Sequence, residues 1–292
     1  MVDWRLADFV EDRELGRGAQ GRVVLARHAE AGTPVAIKYL ARGDAAAVAA
    51  LRGEARMLGR LTSPYVARLY RFVESEHGAA IVMEAVNGAS LKAVLGEHGA
   101  LAPEAALLVL KGSLLGLAAA HSVGVVHRDY KPANVVVRPD GLSKLVDFGV
   151  AVLAGEGSFA GTPAYMAPEQ WRGEPATPAT DVYAATCVFV ECVTGRRPFA
   201  ADGQAALRDQ HLAAPVDMAD VPEALRPLVA EGMAKSPEQR PPGAAAFVAR
   251  LETAAVAAYG GDWEQRGVRA LAGAAVALAA LFPLGALVAP GA

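Results

Sequence analysis

An α+β fold in two parts, a small strand-rich front and a larger mainly helical body, is what this sequence of 292 residues predicts. Three observations carry it. Residues 9–40 divide into three short strands separated by glycine and proline turns, and Ala80-Ile81-Val82-Met83 reads as a fourth, buried one. Behind them, Pro103–Ser122 and Val182–Thr194 keep long apolar helical periodicity. Between those helices, Val135-Val136-Val137 and Lys144-Leu145-Val146 flank Asp140-Gly141, a strong hairpin signal. The length suits one large two-lobed domain or two ordinary ones, with ample chain for a core.

Phe9–Leu15 and Arg22–Ala26 flank Gly16-Arg17-Gly18-Ala19-Gln20-Gly21, followed by Val23. G-x-G-x-x-G alone is weak evidence, since it also opens dinucleotide-binding helices. Here a strand follows the glycines, so the loop is a hairpin lid whose bare backbone at Gly16, Gly18 and Gly21 can approach phosphates. After the Ala31-Gly32-Thr33-Pro34 turn, strand period two puts Ala36 and Lys38 of Val35–Tyr39 on one face. The small Ala36 leaves room for a flat ring, and Lys38 then reaches the phosphates. A charge inside an apolar lobe needs a partner, and Glu54 in the helical stretch 44–61 is the acid placed to supply it. That helix carries Gly53 and Gly59, each costing about 0.5–1 kcal/mol against alanine, so it is marginal until something docks on it.

The densest chemistry is His127-Arg128-Asp129-Tyr130-Lys131-Pro132-Ala133-Asn134, followed by Asp147-Phe148-Gly149. A strand out, a tight turn and a strand back leave Asn134 and Asp147 side by side. Two oxygen-bearing side chains suit Mg²⁺, which takes a few protein oxygens plus substrate phosphates. Asp129, outside the hairpin, is free to orient a hydroxyl. This is equipment for phosphoryl transfer.

The segment resembles the catalytic and metal-binding loops of the protein-kinase superfamily, and specifically its bacterial Hanks-type serine/threonine branch. The resemblance implies the two-lobed protein-kinase fold over 9–258, with an N-lobe 9–86 and a C-lobe 87–258. It implies Lys38–Glu54 as the ion pair required for activity. It gives Val23, Ala36 and Met83 as the adenine surround, with Glu84 C=O and Val86 backbone groups at the base edge. Ala85 stands where relatives often carry an aromatic. Lys131, two residues after Asp129, is the serine/threonine arrangement and can neutralise a transferring phosphoryl group. Tyr130 replaces a common leucine at a packing position.

Gly161-Thr162-Pro163-Ala164-Tyr165-Met166-Ala167-Pro168-Glu169 is similar to the substrate-facing segment of serine/threonine kinases. There the Thr162 hydroxyl bridges Asp129 and Lys131, Glu169 pairs with Arg240, and Asp181 anchors the catalytic-loop backbone. Ser158 is the expected activation-loop phosphosite, with Arg128 its cationic partner. The implied activity is ATP- and Mg²⁺-dependent phosphorylation of protein serine or threonine, autophosphorylation included. A nucleotide-binding pseudokinase docked at a membrane is the alternative, and a small-molecule kinase of the same fold is a third reading.

A net charge of −3 and a pI near 6.1 give no electrostatic footprint for nucleic acid. Cys187 and Cys192 read as buried thiols in a reducing compartment. Met1-Val2-Asp3-Trp4-Arg5 lacks the apolar core of a secretory leader. Residues 259–269 read as a polar linker. Residues 270–289 carry no charge and would span about 30 Å as a helix. Arg266 and Arg269 before that run favour a cytoplasmic kinase domain tethered by it to the membrane, with only Pro290, Gly291 and Ala292 emerging. The competing reading is a hydrophobic helix packed on protein. Protein substrate, activating signal and oligomeric state are not encoded legibly.

Overall fold

The computed structural model describes residues 4–18, 21–40, 45–148 and 161–279. The front lobe is one antiparallel sheet of five strands, β1 (Phe9–Gly18), β2 (Gly21–His28), β3 (Pro34–Leu40), β4 (Leu69–Ser75) and β5 (Gly78–Glu84), in the order β1-β2-β3-β5-β4. Both faces of β3 are covered. Val35, Ile37 and Tyr39 pack with Val24, Ala26, Ala80 and Val82 on the outer side, while Ala36 and Leu40 pack with Ile81, Met83 and Leu51 on the inner side. Period two therefore sends Lys38 inward, toward helix α1 (Ala45–Leu58), as its neighbours Ala36 and Leu40 require.

The second lobe is helical around α3 (Pro103–Ser122), which is buried along most of its length. Among the described residues α3 alone is long and apolar enough to cross a membrane. Here it is a core helix, packed against α5 (Pro178–Thr194), α8 (Ala244–Tyr259) and α9 (Trp263–Ala279). The remaining helices are α2 (Leu91–His98), α4 (Pro168–Trp171), α6 (Gln204–Ala213) and α7 (Arg226–Gly232). A small second sheet, β6 (Ala89–Ser90), β7 (Val135–Val137) and β8 (Ser143–Leu145), lies at the junction of the lobes. Cys187 and Cys192 are buried free thiols on α5.

The tail corrects the expectation of a linker at 259–269. Gly260 ends α8, and from Trp263 the chain is helical again. Trp263, Leu271 and Ala275 are buried on the lobe, and Gly267 falls on the same i, i+4 stripe. Gly267 comes so close to α3 that a Cβ there would stand 2.6 Å from the Glu104 carbonyl. Charges that suggested a solvated linker have partners in the lobe: Arg266 Nε meets Glu104 at 3.0 Å and Lys111 Nζ meets Glu264 at 2.7 Å. The proposed span 270–289 thus begins inside the packed helix, and from residue 280 onward it lies outside the described residues.

Candidate active site

The catalytic loop is held from below by Asp181, in the first turn of α5. Its Oδ2 accepts from His127 N at 2.8 Å and its Oδ1 from Arg128 N at 2.9 Å, while His121 Nε2 lies 2.8 Å from Oδ2. Arg128 has φ of 66°, a left-handed conformation that costs a non-glycine residue about 1–3 kcal/mol and persists when its surroundings over-determine it. The Asp181 carboxylate, itself buried, supplies that determination. The role expected of Asp181 is the one its geometry serves.

Beyond Arg128 the loop assembles a closed triangle. Thr162 Oγ1 donates to Asp129 Oδ1 at 2.7 Å, Lys131 Nζ donates to Asp129 Oδ2 at 2.6 Å, and the same Nζ lies 2.9 Å from Thr162 Oγ1. Asn134 Nδ2 donates to the Asp129 carbonyl at 2.9 Å, which leaves its amide oxygen as an acceptor. The hairpin does what the sequence implied. Val135 pairs with Leu145, Gly141 (φ 80°) makes the turn, and Val146 N donates to Asn134 O at 2.9 Å. Asn134 and Asp147 therefore flank the same end of β7 and β8. An amide oxygen and a carboxylate form a hard oxygen donor set of the kind Mg²⁺ accepts when phosphates complete its shell.

The expected Lys38–Glu54 pair is not made. Lys38 Nζ meets Asp147 Oδ1 at 2.5 Å, whereas Glu54 Oε1 meets an Arg128 guanidinium nitrogen at 3.0 Å. Glu54 Oε2 is buried with no hydrogen-bond partner among the described residues, and burial raises the carboxyl pKa, with Arg128 pulling it part of the way back. The physical reason lies in competition. Lys38 is only 4% exposed and must be neutralised, and Asp147, also left-handed at φ 65°, presents its carboxylate from the hairpin end. Arg128 offers Glu54 a second cation. Phe148, next in the chain, packs on the His127 ring with centroids 4.7 Å apart; Gly149 lies outside the described residues.

In the front lobe, Gly16 and Gly18 end β1 and Gly21 begins β2, with Gly18 paired to Gly21, so the two strands form a hairpin as the flanking sequence required. Val23 pairs with Lys38 and Ala36 with Met83 across the sheet, which puts these four residues around one stretch of β3. Glu84 and Val86 follow at the connector. The Glu84 carboxylate accepts from Lys144 Nζ at 2.6 and 2.7 Å, a tie between connector and hairpin that sequence reading missed. Its signal was a lysine in a buried strand, since such a charge needs a partner. Tyr130 also does more than pack, because its buried hydroxyl donates to Ser113 Oγ at 2.6 Å.

Below the triangle, Glu169 and Arg240 form the expected buried pair in two-pronged form, at 2.7 and 2.8 Å, with Thr180 Oγ1 donating to the same carboxylate at 2.8 Å. Ser158, the expected phosphosite, lies outside the described residues.

Residues 9–250 match the protein kinase domain. The chain belongs to the protein kinase family. Among curated relatives of this kinase, PknD of Mycobacterium tuberculosis, named a serine/threonine-protein kinase, is 36% identical over 243 residues, covering 78% of this chain and 37% of the relative. PknH of Mycobacterium bovis is 36% identical over 242 residues, with 78% and 41% covered. PkaA of Streptomyces coelicolor is 39% identical over 257 residues, with 80% and 47% covered. The kinase therefore spans less than half the length of these relatives. The likeness over its kinase domain places it in the bacterial serine/threonine branch. Among solved structures, Rad53 1-466 in complex with AMP-PNP superposes with a TM-score of 0.72 at 28% identity, over 82% of this kinase and 64% of that chain.

Proposed function

We propose that this kinase transfers the γ-phosphoryl group of ATP to serine or threonine hydroxyls of proteins, its own chain included. The observation that carries the reading is the Thr162–Asp129–Lys131 triangle set beside the Asn134–Asp147 oxygen pair. Asp129 accepts the hydrogen bond of an incoming hydroxyl and orients its oxygen for attack. Lys131 offsets charge on the moving phosphoryl group, and Lys38, released from Asp147, holds the phosphates of the nucleotide. Asn134 and Asp147 would hold Mg²⁺, whose contribution is to neutralise phosphate charge.

Incubation of the purified chain with ATP, Mg²⁺ and a generic protein substrate tests this by ADP release and by phosphoamino-acid analysis. Phosphoserine or phosphothreonine that disappears in Asp129→Asn supports it. Nucleotide binding without ADP release would establish the pseudokinase scaffold instead. We also place the kinase lobes in the cytoplasm, where ATP is available; of the two readings of the apolar run 270–289, a tether to the membrane and a hydrophobic helix packed on protein, we favour the second. The packing of Leu271 and Ala275 on the lobe favours a tail held on protein over one that spans from residue 270.

A further inference from the structure

Lys144 stands in the middle of β8, where Ser143 and Leu145 are buried on either side, and it is itself 8% exposed. Its Nζ lies 2.6 and 2.7 Å from the two carboxylate oxygens of Glu84, the last residue of β5. Glu84 Oε2 also accepts from Arg68 N at 3.1 Å, while Glu84 N donates to Arg68 O at 2.8 Å. The connector glutamate is thus held by side chain and main chain at once. Stability alone does not account for the pair. A buried ion pair can often be replaced by apolar residues of similar volume without loss of stability, and the strand neighbours of Lys144 carry no charge.

A second ion pair of opposite sense lies beside it. In the front sheet Val35 pairs with Glu84 and Lys38 with Ile81, so Lys38 and Glu84 are three register steps apart, about 10 Å along the strands. On the hairpin side Lys144 and Asp147 are also three residues apart. Lys38 reaches Asp147 and Glu84 reaches Lys144, so the front lobe offers a cation at one step and an anion at the other, and the hairpin answers each. A slip that moved either lobe from one step to the other would oppose like charges. Val136 pairs with Lys144, and Val146 N donates to Asn134 O at 2.9 Å, so the strand that carries Lys144 also sets Asn134 and Asp147. Of the two ion pairs, Lys38–Asp147 has to open for Lys38 to face phosphate. Nothing in the transfer calls on the side chains of Glu84 or Lys144.

We propose that Lys144 and the Glu84 carboxylate are positioning residues for the nucleotide: their pair stays closed while Lys38–Asp147 opens, and it keeps β3, which carries Lys38, in register with the hairpin that carries Asn134 and Asp147. A nucleotide that bridges the lobes then meets both halves of its site already aligned, and its binding energy is not spent on bringing them together. The proposal deepens the serine/threonine kinase reading and rests on it for where the nucleotide lies.

The decisive variant is the double replacement Glu84→Gln with Lys144→Met, which removes both charges together and leaves neither buried without its partner. In the full chain the Kd for ADP with Mg²⁺, read by calorimetric titration, should rise about tenfold, within the worth of one hydrogen bond to a charged group. The ATP KM should rise in step, with the peptide KM unchanged. Glu84→Gln alone keeps an oxygen acceptor for Lys144 and should raise the same Kd at least about threefold; it decides the matter if the double variant does not fold. Lys144→Arg, which keeps the cation within reach of Glu84, should bind ADP more tightly than Lys144→Met. A wild-type Kd for ADP in a folded double variant overturns the proposal, as does a peptide KM that rises as much as the ATP KM. The titration needs no turnover, so the two readings fail separately. A wild type that binds ADP tenfold more tightly than the double variant but transfers no phosphate defeats the kinase reading alone. A wild type that transfers phosphate and shares its Kd with the double variant defeats only the role given to Lys144 and Glu84.

Discussion

Glu54 Oε1 and the Arg128 guanidinium stand 3.0 Å apart, which ties α1 to the catalytic loop instead of to Lys38. Lys38 and Asp147 meanwhile neutralise each other at 2.5 Å. On the proposed kinase reading, phosphoryl transfer requires both pairs to exchange partners, so that Lys38 faces phosphate and Glu54 faces Lys38. Glu54 is poised to move, because one of its oxygens is buried without a partner and burial already raises its pKa. Glu54→Gln should therefore separate activity from stability. We expect turnover to fall by at least about tenfold, while the free energy of unfolding changes by less than about 1 kcal/mol. Urea unfolding and steady-state kinetics on the same preparation check it; a large loss of stability would mean that the Glu54–Arg128 pair is structural.

A phosphate on Ser158 would compete with Glu54 for Arg128. It adds a charge of about −1.5 to −2, more than one carboxylate offers, and Arg128 is already partly open to solvent. Phosphorylation should release Glu54 and raise activity. Intact-mass analysis after ATP incubation, paired with Ser158→Ala, tests the idea. Full activity and an unchanged phosphate count in Ser158→Ala would show that Arg128 needs no phosphate.

Asp129→Asn should reduce phosphotransfer by about 10²–10⁴, the range for a positioned proton acceptor, with the fold intact. Lys38→Ala should remove nearly all turnover through the lost phosphate contact. Asp147→Ala should in addition lose the Mg²⁺ dependence of ATP binding, which calorimetric titration with and without the metal reports. Wild-type-like turnover by Asp129→Asn would falsify the assignment of this loop.

The Glu169–Arg240 pair is a stability element with a defined pH sign. Burial alone would raise the Glu169 pKa, but Arg240 and the hydrogen bond from Thr180 outweigh it, and the pKa is lowered. A carboxyl depressed in the folded state stabilises above its unfolded pKa, and that contribution is lost as pH falls through the lower folded value. Glu169→Gln should cost about 3–5 kcal/mol at pH 7 by leaving Arg240 buried without its countercharge. The penalty should shrink on acidification below the ordinary carboxylate range, as followed by denaturant melts across pH. A penalty that stayed constant with pH would contradict the pairing.

What could be read in advance was the chemistry written over short stretches. His127 through Asn134, the Asp140-Gly141 turn and Asp147 are fixed by local backbone geometry, so Asn134 and Asp147 appear where spacing put them, whereas the Thr162 corner of the triangle, 33 residues from Asp129, was reached through resemblance to a family. The Glu169–Arg240 pair was reached only through resemblance to a family, because no local rule joins residues so far apart. Lys38–Glu54 failed for a different reason. Three groups, Asp147, Arg128 and Lys38, share one small volume, and which of them Glu54 meets depends on how α1 docks, a tertiary balance of a few kcal/mol that propensity cannot resolve. The tail failed similarly. Val268 lies over the Gly141 turn, so that a Cβ at Gly141 would stand 2.5 Å from the Val268 carbonyl, and nothing in residues 259–269 alone announces that distant partner.

That docking yields the last prediction. Trp263 is 2% exposed, Leu271 1% and Ala275 0%, and Lys111 lies over the Trp263 ring at 5.7 Å. Truncation after Asp262 uncovers the face of α3 that α9 covers, and Trp263→Ala should by itself cost about 3–5 kcal/mol. Truncation after Ala279 should keep the stability of the full chain. A membrane span starting at residue 270 would have to pull Leu271 and Ala275 out of the lobe; the apolar run left beyond Ala275 reaches only about 21 Å as a helix, short of the ~30 Å hydrocarbon layer. Thermal melts of the two truncations, with carbonate-washed membrane fractions of cells expressing each, separate the readings. Equal stability of both truncations, with carbonate-resistant membrane retention of the full chain alone, would mean that the tail serves the bilayer and not the lobe.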